Sequence, residues 1–166
     1  MNLLTNIQIN SICWEVAHSF HLYGEHLSLC AQVQYYTGCR ANDALQFNRW
    51  SLLANGNVLL QPQKNNLIRT FIPTDLPPKF YSYLAENYNP FVGLLYGKYQ
   101  YYVGLSLRKY SPTVGQKGVL SHLFRHNYAK KLKNLGMLDV DICQKMGEKQ
   151  QVSANMYIYS QVFGYY

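Results

Sequence analysis

Val119-Leu120-Ser121-His122-Leu123-Phe124-Arg125-His126-Asn127-Tyr128-Ala129-Lys130-Lys131-Leu132-Lys133-Asn134 is the most regular stretch of the chain. Leu120, Phe124, Tyr128 and Leu132 recur every four residues, which lays an apolar stripe along an α-helix. At about 100° per residue, His122, Arg125 and His126 fall on a different face, centred more than a third of a turn away. Gly136 ends the helix.

Helical patterning continues on both sides of this stretch. Residues 3–17 predict a helix with Leu3, Leu4, Ile7, Ile12 and Val16 available for burial. A second helix runs from about Leu22 to Tyr36 and stops at Thr37-Gly38, and a third opens near Arg40 with Asp43 in its first turn. From Trp50 to Pro73 the pattern changes. The turn signals Asn55-Gly56-Asn57 and Gln63-Lys64-Asn65-Asn66 separate short apolar runs, which predicts an antiparallel meander of two or three strands. Helices return over Phe80–Glu86, Tyr96–Lys109, Val140–Met146 and Val152–Gln161. The expected fold is mainly α with a small antiparallel β-sheet insert.

A chain of 166 residues suits one domain, and no repeat, low-complexity tract or linker divides it. Hydrophobic residues make up 48%, enough to build a core and to exclude wholesale disorder. The longest run without polar or charged residues, about Phe91 to Gly97, is far short of a membrane span of ~20 residues. The first twenty residues show no basic segment followed by a continuous apolar one, so a secretory signal is not expected. These features predict a soluble cytoplasmic protein with no membrane partner. Cys13, Cys30, Cys39 and Cys143 have no CxxC spacing and no zinc-like cluster, and read as reduced, mostly buried thiols without a structural metal.

The formal charge of +7 is uneven. Residues 1–97 carry five basic and five acidic side chains, whereas Lys98 to Lys149 carry ten basic and three acidic. A single basic segment in a neutral domain suits a polyanion, nucleic acid being the usual one; a lysine face kept for solubility has the same composition. Phosphate-cradling glycine loops, nucleophile elbows and HExxH zinc motifs are missing from the sequence. What stands out is a set of separated polar groups: Arg40 after Thr37-Gly38, Lys64 in a turn, His122 with Arg125, and Tyr157 near the end.

Thr37-Gly38-Cys39-Arg40-Ala41-Asn42-Asp43 resembles the first signature of the tyrosine recombinases, the phage integrase family. His122-Leu123-Phe124-Arg125-His126 resembles the second, and Met146-Gly147-Glu148 through Tyr157 the last, with the tyrosine nine residues after Glu148. Lys64 stands where the family carries its β-hairpin lysine, and the chain order Arg, Lys, His-x-x-Arg, Tyr agrees. The resemblance covers about Leu22 to Ser160 and implies the tyrosine recombinase catalytic-domain fold.

The activity implied is cleavage and rejoining of DNA strands, for site-specific recombination or integration of a mobile genetic element. Tyr157 would attack a phosphodiester and form a 3′-phosphotyrosyl bond. Arg40 and Arg125 would hold the non-bridging oxygens with paired donors. Lys64 would protonate the 5′-oxygen, and His122 would act as base or phosphate ligand. No cofactor or metal is required. The partners implied are double-stranded DNA and a tetramer of this chain assembled on it, and Lys130, Lys131 and Lys133 are expected phosphate contacts.

Two features depart from the family. Glu148 stands where a His or Trp donates a hydrogen bond to the phosphate, and its carboxylate would repel that group; Lys149 is adjacent. Tyr159 is a second nucleophile candidate, but a two-residue displacement on a helix turns it about 200° away from Tyr157. The chain also begins at or just before the catalytic domain. The expectation is therefore one catalytic domain over residues 1–166, with the family's N-terminal core-binding domain absent. The aromatic tail Val162-Phe163-Gly164-Tyr165-Tyr166 is expected to fold back or to dock on a neighbouring protomer. Alternative readings are a non-catalytic DNA-binding relative, and DNA relaxation like that of a type IB topoisomerase.

Overall fold

The computed structural model describes residues 5–19, 23–46, 50–62, 66–86, 90–91, 93–110 and 122–159. Among them the chain is mainly helical with one small antiparallel sheet. Helix α1 (Asn6–Ser19) begins at Thr5. The Thr5 hydroxyl accepts from the Gln8 N–H at 3.2 Å while Gln8 Oε1 accepts from the Thr5 N–H at 2.8 Å, a reciprocal cap. The stripe α1 buries is Ile9, Cys13, Val16 and Ala17, not one through Ile7, which is 79% exposed. The i, i+4, i+7, i+8 series starting at Ile9 leaves Ile7 on the far side. Leu3 and Leu4 lie outside the described residues.

Helix α2 (Glu25–Thr37) ends at Gly38, whose φ of +67° is left-handed and whose N–H bonds to Gln34 O at 2.8 Å. A second constraint acts at the same residue. A Cβ on Gly38 would overlap the Tyr128 ring, so the end of α2 passes hard against the helix that carries Tyr128. Helix α3 (Ala41–Leu45) follows with Arg40 as its N-cap residue and buried Asp43 in its first turn.

Strands β1 (Trp50–Leu52), β2 (Val58–Leu60) and β3 (Arg69–Phe71) form an antiparallel sheet in the order β1-β2-β3. Leu52 pairs with Val58 across the Asn55-Gly56 turn, and Leu60 pairs with Arg69. Val58, Leu60, Phe71 and also Arg69 are buried. Residues 63–65 of the second turn lie outside the described residues. A 3₁₀ turn (Pro73–Asp75) leads to α4 (Pro78–Ala85), which opens on a proline suited to the first helical position. Helix α5 (Tyr96–Tyr110) buries Tyr99, Val103 and Leu107 at four-residue intervals.

The chain closes with α6 (His122–Asn134), α7 (Asp139–Lys145) and α8 (Gln151–Tyr159). Helix α6 runs through the middle and touches α1, α2, α7 and α8. Leu123 and Phe124 belong to the larger core, with α1 to α5 and the sheet. Tyr128, Ala129 and Leu132 belong to a smaller one with Ile142, Met146 and Ile158. The polar face of α6 is buried as well: Arg125 is 2% exposed, Asn127 2% and Lys130 8%. A stripe with a solvated back is the default for a lone amphipathic helix; here other helices pack on it, and Arg125 and Lys130 are buried.

All four cysteines are free and buried. Burial pushes the Cys39 thiol up to about 11 against the hydrogen bond from Thr37 and the positive charge of Arg69. Among the described residues, no helix is long and apolar enough to cross a membrane.

Candidate active site

Arg40 leaves the chain from a braced turn. Three successive carbonyls before it are each held by a side chain from elsewhere. Arg69 Nη2 donates to Thr37 O, Arg125 Nη1 to Gly38 O at 2.7 Å, and Gln34 Nε2 to Cys39 O at 3.0 Å. Gln34 is held in turn by the Tyr99 hydroxyl, which donates to its Oε1 at 2.7 Å. Carbonyls at a helix C-terminus lack intrahelical partners and carry partial negative charge, so guanidinium donors suit them.

Glu148 arrives from the end of α7. Gly147 N–H bonds to Gln144 O and Glu148 N–H to Cys143 O, both at 3.0 Å, which is the paired C-terminal closure of a helix around a left-handed residue. Gly147 supplies that residue with φ +74°. A Cβ there would stand 3.0 Å from both Leu67 O and Arg69 Cδ. The Leu67 N–H bonds to Gly147 O at 2.7 Å, so the lead-in to β3 is clamped onto the turn that carries Glu148.

The two arginines meet at this carboxylate. Glu148 Oε1 accepts from Arg40 Nη2 at 3.0 Å and from Arg125 Nη2 at 2.6 Å. The Glu148 side chain is 5% exposed, that of Arg125 2% and that of Arg40 18%. Arg125 Nη2 also donates to Met146 O at 3.2 Å, whereas its Nε is buried without a hydrogen-bond partner. With its amide oxygen turned toward Arg40, Asn66 accepts from Arg40 Nη2 at 3.1 Å. Lys64 lies outside the described residues.

Tyr157, on α8, is surrounded by three residues of α6. Its hydroxyl is 3.1 Å from His122 Nδ1, and the two rings are 5° from parallel. The Arg125 guanidinium carbon lies 4.9 Å from the Tyr157 ring centroid, a cation–π contact, and the His126 ring lies 4.8 Å from it. Burial, with the positive charge of Lys130 and the neighbouring His122, pushes the His126 imidazole down to about 4. It is therefore neutral at pH 7. Tyr159 faces elsewhere: its hydroxyl donates to Asp139 Oδ2, and Lys133 Nζ donates to Asp139 Oδ1 at 2.7 Å.

Of the residues singled out in the sequence, Arg40, Arg125, His122, Glu148 and Tyr157 come together. The three lysines do not join them. Lys130 Nζ donates to Ile158 O at 3.1 Å and is buried. Lys131 Nζ lies 4.5 Å from the Tyr35 ring centroid and 3.4 Å from the Tyr35 hydroxyl. Lys133 is paired with Asp139. The site also uses Arg69 and Asn66, which the sequence reading did not place in it. Arg69 had a signal: it alternates with Phe71 on the inward side of a strand, and an inward charge in a strand needs a purpose.

No protein-family model matches the chain, and no curated protein matches it in sequence.

Proposed function

We propose that this chain cleaves and rejoins DNA strands through a covalent 3′-phosphotyrosine intermediate, as a tyrosine recombinase catalytic domain. The observation that carries the reading is the convergence of four residues from three segments: the Arg40 turn, α6 and α8. Arg40 and Arg125 share one carboxylate oxygen, Arg125 lies against the Tyr157 ring, and the Tyr157 hydroxyl meets His122. Scattered polar groups with unrelated structural duties have no reason to link up in one chain of contacts from Arg40 to Tyr157.

In this reading the Tyr157 oxygen attacks the phosphorus of a DNA phosphodiester in line with the 5′-oxygen. A phosphorus–tyrosyl oxygen bond forms as the bond to the 5′-oxygen breaks. His122 Nδ1 takes the phenolic proton, which requires the tautomer protonated at Nε2. Lys64 gives a proton to the departing 5′-oxygen. Arg40 and Arg125 take the charge that gathers on the non-bridging oxygens, with planar donors matched to that geometry. The reverse steps rejoin the strand, because the phosphotyrosyl bond stores the energy of the one broken. The substrate is double-stranded DNA, and the chain works as a tetramer of copies assembled on it.

One observation favours a second reading. Glu148 holds both arginines, the state expected of a DNA-binding relative that has lost the chemistry. Covalent trapping separates the two. The protein is incubated with supercoiled DNA from its own genomic neighbourhood and quenched with denaturant, and protein attached to DNA is counted. An adduct lost in Tyr157→Phe and kept in Tyr159→Phe supports the enzyme. Salt-sensitive DNA binding without any adduct supports the relative that only binds.

A further inference from the structure

We infer that the Glu148 carboxylate is an internal occupant of a phosphate seat: it fills the place between Arg40 and Arg125 that a phosphodiester must take, and it has to swing out before one can enter. The inference rests on the reading above for the identity of the ligand. Its geometric part stands on the ion pairs alone.

Two guanidinium groups on a single carboxylate oxygen reproduce the donor arrangement that receives one non-bridging oxygen of a phosphate. The seat does not depend on Glu148 for its shape. Arg125 is fixed by the Gly38 and Met146 carbonyls, and Arg40 by Asn66 and the braced turn at its own base. Removing the carboxylate therefore leaves both forks where they are, with their charge uncovered. A phosphodiester and the carboxylate cannot both sit there, since two anions would contact the same donors at hydrogen-bond distance.

The exit is a side-chain movement. Main-chain bonds from Gly147 and Glu148 to the last turn of α7 hold the Glu148 backbone in place. Rotation about the side-chain torsions withdraws the carboxylate without disturbing that turn, and the next residues, Lys149 and Gln150, are exposed. The arrangement gates the site by anion competition. Solvent anions are weak competitors for a tethered carboxylate, whereas a DNA phosphate presented by a long backbone carries many further contacts to offset its displacement.

The test measures inorganic phosphate binding by the full chain at constant ionic strength, using isothermal calorimetry and the phosphate-dependent rise in melting temperature. Glu148→Gln is expected to bind phosphate at least tenfold more tightly than the unaltered protein, and Arg40→Gln added to it is expected to abolish that gain. Equal binding by the two proteins, or binding by neither, overturns the inference. If Glu148→Gln does not fold, Glu148→Asp withdraws the carboxylate by one methylene. A larger phosphate-dependent stabilisation than in the unaltered protein then supports the inference, and an equal one overturns it. The outcome is separable from strand cleavage. A phosphate gain with no covalent adduct in any variant keeps the seat and removes the enzyme. An adduct with unchanged phosphate binding does the reverse.

Discussion

The Tyr157 hydroxyl and His122 Nδ1 lie 3.1 Å apart across two helices joined by 35 residues of separation in sequence. That distance is a hydrogen bond already present in the fold, which in the proposed reaction would set the path of the Tyr157 proton to His122. His122→Gln keeps a polar group there but not a base of suitable strength. It is expected to lower the rate of adduct formation by about 10²–10⁴ while leaving DNA affinity within about twofold. Single-turnover trapping and a filter-binding titration on the same preparations check it.

Arg125 is expected to matter to the fold as much as to the chemistry. Arg125→Leu leaves the buried Glu148 carboxylate with Arg40 alone, and the Gly38 and Met146 carbonyls without their donor. Breaking a buried pair from one side costs about 3–5 kcal/mol. Urea unfolding should show that loss, with Glu148→Leu added to Arg125→Leu recovering a large part of it.

The close approach at Gly38 gives a test of the crossing between α2 and α6. Gly38→Ala forces a side chain into a left-handed backbone position and into the Tyr128 ring. The two penalties together are about 2–4 kcal/mol. In the pair Gly38→Ala with Tyr128→Ala the steric part disappears, so the combined loss should fall short of the sum of the single losses by about 1 kcal/mol or more. Thermal unfolding of the four proteins measures it.

His126 predicts an acid-sensitive fold. Its imidazole is held at about 4 in the folded protein against 6.5 for a free one. Between those values the unfolded chain binds the extra proton and the folded chain does not. Stability is therefore fully present above pH 6.5 and falls as the pH drops toward 4, by up to about 1.4 kcal/mol per pH unit. His126→Phe should flatten the stability profile over that window, as read from urea midpoints at a series of pH values.

Local rules make much of the helical order readable. Four-residue spacing marks α5 and α6, turn chemistry marks the hairpin at Asn55-Gly56, and Gly38 marks the end of α2. The burial of the charged face of α6 is not local, because the cover comes from α8, and nothing between His122 and Asn134 announces it. For the same reason three lysines in a basic stretch look like a surface patch, while Lys130 in fact points at a main-chain carbonyl of α8. Glu148 is legible as a departure from the motif it sits in. Its attachment to Arg40, 108 residues earlier, is a property of the folded chain alone.

The three carbonyls at Thr37, Gly38 and Cys39 also bear on how the protein is made. Arg40 leaves the ribosome before Arg69 and Arg125, two of the three side chains that brace its turn, and before Glu148, its ion-pair partner. At roughly 5–20 residues per second, the 108 residues from Arg40 to Glu148 take roughly 5–20 s to appear. For most of that interval the turn that aims Arg40 has only Gln34 and, once it is made, Arg69 to brace it, without Arg125 or Glu148. A half-made or truncated chain thus carries the first arginine without the assembled site.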